Sequence, residues 1–445
     1  MLPPPDLIQA VAGLWRLDPP GPDNVFSAPA FIRLREVCQR LYPKAGSKDA
    51  LAAALSGALR RLGWPCRLAP HNAHLALPAE LAAASLDEAF RRTQSRRVHI
   101  CPLDCADDLP NLSFGPNRVR RMSAGELKAL VASPRLERIN PTWTFDAERF
   151  SEFSWLVVNE VVPLDGEPGA RALPALFLDF SRDFGAIEPH QKRFAAVVET
   201  ALFALLLAPW EDWTVHGDLD WRGFRVPWIY TIDDDLLAES MPPPSPETLS
   251  WEPDFFFDEY GETIELERPT RLPLSDCAAK AIEWLNDAAW NDLIRARESS
   301  LFGSPVEHFF VHGFLVDGID EFLAHITVVE AALGMSSDHH AAGRRKIGGK
   351  NPGATTRVAA RLAALLDAET AVADFKRLFE VRSEFVHGRS MSPIPSHERT
   401  LARRLSRETV VALIKAALVR PAPASREAYL DTLLDAGSRF IGTVP

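Results

Sequence analysis

Cysteine is scarce in this sequence of 445 residues, which contains five. Cys38, Cys66, Cys101, Cys105 and Cys277 are odd in number and widely spaced, so they do not make the paired framework of a small secreted protein. Their pattern indicates reduced thiols, and we therefore expect a cytoplasmic protein.

Long apolar runs are also missing. The most apolar stretch, Ala195 to Pro209, contains Glu199 and is shorter than the roughly 18–20 residues that cross a bilayer. The first residues, MLPPPDLIQAVAGLW, lack a basic segment and are interrupted early by prolines, which excludes a signal peptide. We expect no association with a membrane.

Positive charge is not in excess. The chain has 49 Lys and Arg against 60 Asp and Glu, and this net charge of -11 argues against a protein that coats nucleic acid non-specifically. From residue 271 to the end, however, 22 basic residues face 21 acidic ones, so the acidic excess belongs to residues 1–270. The C-terminal part is close to neutral, which allows a local contact with RNA.

The pattern of apolar and polar residues changes near residue 270, and the two parts together predict an α+β fold. Residues 1–270 mix helical and strand patterns with many prolines, which indicates a mixed α/β accessory domain of one or two subdomains. The predicted elements are a helix opened by a capping box at Ser123 and Glu126, strands at Phe153–Leu164 and Ala172–Phe180, a buried helix at His190–Leu207, hairpin strands within Trp213–Ile232, and a proline-rich linker at Met241–Pro246.

Strand patterns disappear after residue 270, and residues 271–445 predict an all-α domain, a bundle of four or five helices. A glycine-rich basic loop, residues 343–354, interrupts it. The predicted helices are Ser275–Ser299, Asp317–Leu333, Thr355–Leu366, Glu369–His387 and Glu398–Val419, with weaker helical character at Ala424–Leu434.

One short segment, Arg382-Ser-Glu-Phe-Val-His387, combines a guanidinium with an imidazole near a helix end. The spacing alone decides nothing, because a chain this rich in arginine contains such pairs by chance; Arg92 and His99 are another. The position is more informative. Arg382 falls on the apolar face that Phe375, Phe379 and Val386 mark, so it must be paired or line a cleft. His387 precedes Gly388 in the last turn, where the helix dipole favours its protonation.

The order of motifs around this segment resembles the Apea-like branch of the HEPN superfamily. A helix ending VVEAALG (Val328–Gly334), a basic loop, the helix ATTRVAARLAALL and the segment DFKRLFEVRSEFVHG (Asp374–Gly388) follow one another, and RSEFVHG is close to that branch's Arg-Ser…Val-His-Gly signature. The likeness covers roughly residues 276–419, about a third of the chain.

The resemblance implies a metal-independent endoribonuclease that needs no cofactor and acts as a homodimer. By that analogy His387 is the general acid or base, Arg382 holds the scissile phosphate, and Ser383 assists where the family often has Asn or Asp. The branch is associated with prokaryotic defence against phage and toxin-like RNA cleavage, usually behind an accessory domain. Residues 1–270 are therefore expected to sense a phage-derived or protein trigger, or to restrain the nuclease by covering its basic face.

A structural interpretation competes with this one. Arg382 could pair with Glu330, Glu380 or Glu384, and the domain could be a catalytically inactive HEPN-like module that dimerises or binds RNA or protein. Basic residues offer further contacts with RNA phosphate, although each could equally serve solubility: Arg344, Arg345, Lys346 and Lys350 in the loop, and Arg403 and Arg404, with Arg399 and Arg407, on the last long helix.

A zinc site is the other chemistry that we weighed. His99, Cys101 and Cys105, with Cys66, His71 and His74 upstream, could supply enough ligands. Their spacing matches no common zinc motif, and small buried thiols explain the cysteines better. We expect no metal. The acidic run Asp233–Asp235 predicts a turn unless a basic partner meets it.

Overall fold

The computed structural model describes residues 2–19, 24–43, 45, 47–140, 142–164, 194–216, 221–257, 259–303, 305–340, 346, 351–388, 392–419 and 423–441. Its fold class is α+β, as predicted. The helices are α1 (Pro5–Trp15), α2 (Pro29–Leu41), α3 (Lys48–Arg61), α4 (Ala79–Arg91), α5 (Ala124–Val131), α6 (Ser133–Ile139), α7 (Ala147–Ser151), α8 (Ala196–Leu206), α9 (Trp210–Trp213), α10 (Ala278–Ala281), α11 (Asp287–Arg297), α12 (Val306–Leu315), α13 (Ile319–Leu333), α14 (Ala354–Leu366), α15 (Thr370–Val386), α16 (Ser396–Leu418) and α17 (Arg426–Ile441). The strands are β1 (Gln94–Pro102), β2 (Leu112–Phe114), β3 (Asn117–Arg121), β4 (Ser154–Pro163), β5 (Tyr230–Asp233), β6 (Trp251–Phe257) and β7 (Thr263–Pro269).

The chain forms two compact units, and both are discontinuous in sequence. The first comprises Met1–Cys101, Arg121–Ala186 and Trp228–Leu249; the second comprises Pro102–Arg120, Ile187–Pro227 and Ser250–Pro445. This grouping differs from the contiguous division at residue 270, because segments before that residue pack into the same unit as the C-terminal helices. Among the described residues, no helix is both long and apolar enough to cross a membrane.

In the first unit, helices α1 to α4 enclose an apolar core that includes Leu7, Phe31, Leu55 and Phe90. Strand β1 lies between β4 and β5, and pairs with β5 in antiparallel register that places Arg97 opposite Asp233. The predicted strand at 153–164 is confirmed as β4, and the predicted capping box opens α5. The predicted strand at 172–180 lies outside the described residues.

The acidic run at the end of β5 does meet basic partners. Asp233 accepts a hydrogen bond from Nε of Arg97 at 2.8 Å, and Asp234 accepts one from Arg92 at 2.7 Å. Burial alone would raise the pKa of Asp233, but hydrogen bonds from Ser95 and Arg97 outweigh it and lower the pKa. Arg92, part of the second Arg–His pair, therefore serves this structural contact.

The predicted hairpin within residues 213–232 is wrong. Trp213 ends a short helix, the described residues 221–229 lie outside any strand, and β5 pairs with the distant β1. The aromatic residues pack against each other instead, and the ring centroids of Trp210 and Phe224 lie 5.3 Å apart. Gly223 has a φ of +88°, and a Cβ at this position would lie 2.4 Å from the Trp210 ring. Alternating aromatics here reflect packing around a glycine and not a strand.

The second unit contains the helices that follow residue 270, and we call it the helical unit. Helix α13 packs against α12 and α16, α14 packs against α15 and α17, and α11 packs against α16. The helices predicted at 317–333, 355–366, 369–387 and 398–419 are confirmed as α13 to α16, and the weak one at 424–434 is the longer α17. The pattern did not predict α12.

The single helix predicted at 275–299 is wrong, because two helices occupy that range. Leu285 is extended (φ -76°, ψ 90°), and the Asn286 side chain accepts hydrogen bonds from the N–H groups of Ala288 and Ala289. Asn286 therefore caps the start of α11, which favours a break over a continuous helix.

The crossing of α14 and α17 depends on Gly437. A Cβ at this position would lie 2.0 Å from the carbonyl oxygen of Ala360, which is a backbone atom and cannot rotate away. Forcing the helices apart costs about 1–3 kcal/mol, against a gain of about 1 kcal/mol from the better helix propensity of alanine.

We therefore expect Gly437→Ala to lower the free energy of unfolding by up to about 2 kcal/mol, measured by urea titration followed by circular dichroism. Gly13→Ala in α1 is the control, because a Cβ there meets nothing within 4 Å. It should be neutral or slightly stabilising. Equal stability of the two variants would show that the α14–α17 crossing tolerates a side chain.

Candidate functional site

Helix α15 carries the Arg382–His387 segment, and only its first part is buried. The buried residues are Ala371, Val372, Phe375 and Leu378, at the spacing of one helix face. Beyond Leu378 no described residue of α15 is buried. The prediction that Val386 marks the buried face is wrong, since it is 55% exposed. The last two turns of α15 are thus accessible from solvent.

Arg382 lies on this accessible end and is partly held in place. Its Nη1 atom is 3.6 Å from Oε2 of Glu330 on α13, and its guanidinium lies over the Phe379 ring at 5.3 Å from the centroid. Its side chain is 31% exposed. The sequence offered three acidic partners, and the structure pairs Arg382 with Glu330, while Glu380 and Glu384 are exposed.

Glu330 responds to this environment. Burial raises the pKa of its carboxyl group, and the nearby positive charges of Arg382 and His339 oppose the rise. Arg382 thus helps to keep Glu330 ionised, through an ion-pair contact that is too long for a hydrogen bond. The guanidinium stays partly exposed, and its N–H donors suit a phosphate or carboxylate.

His387 ends α15. Its N–H donates to the carbonyl of Ser383 at 3.0 Å, and Gly388 follows at φ +65°, the left-handed conformation that commonly stops a helix. The His387 side chain is exposed, and that of Ser383 is half-buried. Five residues correspond to about 140° of rotation around a helix, so the side chains of Arg382 and His387 leave α15 in different directions.

The other predicted RNA contacts fare differently. Arg344, Arg345 and Lys350 lie outside the described residues, and Lys346 is exposed. Acidic residues pair with the predicted basic face of α16: Arg403 pairs with Glu321, Arg404 with Asp212 at 2.5 Å, Arg407 with Glu211 at 2.7 Å, and Arg399 lies 3.7 Å from Glu321. Arg403 is buried, so its predicted contact with a substrate is wrong. The Arg404 side chain is 44% exposed, and its contact with RNA stays a prediction.

The pairs on α16 surround a buried polar cluster that the sequence did not reveal: Glu321 and His325 of α13, and Arg403 and Ser406 of α16. Glu321 is fully buried and receives a hydrogen bond from Nε of Arg403 at 3.1 Å. Nδ1 of His325 lies 2.9 Å from Oγ of Ser406. The periodicity of apolar residues in α13 does not show that Glu321 and His325 are buried, because isolated polar residues also occur on solvated helix faces.

The cluster does not form a substrate site. It borders a small cavity of about 20 Å³, which is room for about one water molecule. Burial, and then the positive charges of Arg403 and Arg222, lower the pKa of His325 well below its ordinary value, so the imidazole is neutral at pH 7. We interpret the cluster as the polar centre of the helical unit.

The cysteine and histidine residues weighed as a zinc site do not behave as ligands. Cys66, Cys101 and Cys105 are buried, and burial raises the pKa of each thiol, which disfavours the thiolate that binds zinc. His99 is hydrogen-bonded to Thr231 and Glu160. Among the residues with described positions, no group of three His, Cys, Asp or Glu side chains could hold a metal ion.

Comparison with models of protein families, with curated proteins and with solved structures finds no match for this chain.

The buried pair gives a first testable consequence. Glu321→Gln removes the charge that neutralises Arg403, and breaking a buried ion pair from one side costs about 3–5 kcal/mol. We expect a loss of that order in the free energy of unfolding. Asp292→Asn, which removes a surface ion pair with Arg295, is the control and should cost less than about 1 kcal/mol. A loss in Glu321→Gln as small as in the control would contradict a central role for this pair.

His325 gives a second. The folded state holds its pKa below that of the unfolded chain, so the unfolded state binds the proton more tightly. Stability is fully present above about pH 6.5 and falls at lower pH, by at most about 1.4 kcal/mol per pH unit for this group. We expect His325→Gln to flatten the decline of the unfolding free energy between pH 7 and 5, and His340→Gln, at an exposed position, to change it less. Identical slopes in the two variants would refute the assignment.

Proposed function

We propose that this protein is a metal-independent endoribonuclease of HEPN type that cleaves RNA in prokaryotic defence or in a toxin-like manner. One observation carries the proposal: α15 ends in a half-exposed guanidinium, held by Glu330 and Phe379, and an exposed imidazole at the helix terminus. Both groups are accessible, and they are the two types that RNA cleavage without a metal requires.

RNA carries its own nucleophile, so the protein has to move protons and stabilise charge. As the 2′ oxygen attacks phosphorus and the P–O5′ bond breaks, His387 takes the 2′ proton while water protonates the departing 5′ oxygen, or His387 protonates that oxygen while water takes the 2′ proton. Arg382 donates two N–H groups to the phosphate oxygens on which negative charge accumulates. The products are a 2′,3′-cyclic phosphate and a 5′-hydroxyl.

The divergent directions of the two side chains favour a site built by two copies of the chain. A two-fold axis near the end of α15 would bring a second Arg382 and a second His387 to one cleft, and the exposed Val386 between them would become buried. We therefore include a homodimer in the proposal. All five cysteines are free, in keeping with a reducing, cytoplasmic location.

We further propose that residues 1–270 restrain or trigger the nuclease, for example on meeting a phage-derived component. Glu211 and Asp212, which belong to this acidic part of the sequence, pair with Arg404 and Arg407 of α16. These pairs cover basic residues of α16, which supports the proposal, and they lie within the helical unit. Deleting residues 1–270 would also remove α8 and α9, so point variants are the cleaner test.

The decisive measurement is cleavage of total RNA by the purified protein in EDTA. We expect His387→Ala to lower the rate by about 10²–10⁴-fold, the usual contribution of a general acid or base, without lowering the melting temperature. His397→Ala, an exposed histidine on α16, is the matched control and should cleave like the wild type.

Arg382→Lys keeps the charge but not the two-pronged donor and should also cleave slowly, whereas Arg377→Lys on the same helix should not. Equal cleavage by His387→Ala and the wild type, or no cleavage by the wild type at concentrations where it dimerises, would reject the enzyme. The latter result would support the alternative, an inactive HEPN-like module in which the Arg382–Glu330 pair is structural.

A further inference from the structure

Strands β6 and β7 form a two-stranded antiparallel sheet of their own in the second unit. Trp251 pairs with Pro269 at the base, Phe257 pairs with Thr263 near the tip, and Gly261, at φ +80°, lies in the turn. Every residue of β7 before Pro269 is exposed. An isolated hairpin is marginally stable in water at best, so this element lacks the burial that normally supports one.

The side chains of this hairpin are unusually apolar for their exposure. On one face, Phe255 is 61% and Phe257 76% exposed; on the other, Phe256 stands opposite Ile264, with Leu266 52% exposed beside them. Tyr260 in the turn is 83% exposed. Large apolar residues concentrated on both faces of one projecting element mark an interaction site, whereas scattered ones need no explanation.

The negative charge of the hairpin limits which kind of molecule can bind to it. Residues 251–269 contain seven acidic residues and one basic residue, Arg268, a net of -6 in a chain whose total is -11. Arg268 is itself occupied by Glu252 at 2.9 Å and Asp254 at 3.6 Å. Nucleic acid and anionic lipid would be repelled by this charge. A second hairpin of the same chain would be repelled as well, since like charges would meet.

We propose that the β6–β7 hairpin docks onto a protein partner that presents a positively charged surface with an apolar cleft. Phe255 and Phe257 enter the cleft as anchors, because aromatic side chains that lose solvent at the centre of an interface contribute most of its affinity. Carboxylates such as Glu259 and Glu265 meet the partner's Lys and Arg at the rim and speed the encounter. This inference does not depend on RNA cleavage.

The test begins in the cells that make the protein. A photoreactive analogue, p-benzoylphenylalanine, replaces Phe257 in the full-length chain, and cross-linked molecules are identified by mass spectrometry. The cross-linked protein is then purified, and its affinity for the wild type is measured by calorimetry at two salt concentrations. We expect a basic protein whose affinity falls as salt rises.

Two variant pairs decide whether the hairpin carries that affinity. Phe255→Ser/Phe257→Ser and Glu259→Gln/Glu265→Gln should each weaken binding roughly tenfold or more, while both fold normally because these side chains are exposed. The controls are Met241→Ser, 70% exposed elsewhere, and the exposed Glu80→Gln/Glu283→Gln, which should bind like the wild type.

Other binding partners of the hairpin would give different results in these experiments. Cross-linking to the same chain, with a dimer lost in Phe255→Ser/Phe257→Ser, would replace the partner by a second copy. Sedimentation with vesicles of neutral and anionic phospholipid would replace it by a membrane. No cross-link, or a neutral or acidic partner whose affinity ignores salt, overturns the proposal.

Discussion

The carboxylate of Glu321 is buried completely within the helical unit, and a bare charge there would not be tolerated. Arg403 neutralises it across the α13–α16 contact, and this requirement sets how the two helices lie against each other. His325, one turn further along α13, must stay neutral beside the same guanidinium. Arg404 and Arg407 of α16 then pair with Asp212 and Glu211 of α9. Helix α16 is therefore oriented by charge as much as by apolar contact.

The sequence predicted the helical unit well wherever local spacing decides the outcome. Helices α13 to α17 follow from the period of their apolar residues, and a partner for Arg382 was expected on chemical grounds. The break before α11 was missed because one capping residue, Asn286, overrides an otherwise continuous pattern. The strand pattern near Phe224 misled because its aromatics pack around Gly223. In both cases the local conformation at one residue decided the structure against the pattern of the surrounding sequence.

The roles on α16 could not be read from the sequence for a different reason. Arg403 and Arg404 look like a solvated basic face, since their partners Glu321 and Asp212 lie 82 and 192 residues away. No local pattern shows such pairs. Arg382 differs because Glu330 was among the acidic partners that the sequence already suggested for it. The contact between Arg382 and Glu330 could therefore be predicted from the sequence. The ion pairs of α16 could not, because their partners come together only in the folded chain.

The use of arginine on α16 also constrains how RNA could be held. Arg403 and Arg407 pair with carboxylates of α13 and α9, and Arg377 on α15 lies 3.5 Å from Glu398. Each phosphate contact adds to a non-specific, salt-sensitive attraction, so a site with few contacts gains little from it. An enzyme of this kind would select RNA by the geometry of a short segment at the scissile bond. That demand matches a guanidinium held in place on two sides, by Glu330 and by Phe379, better than it matches a broad basic surface.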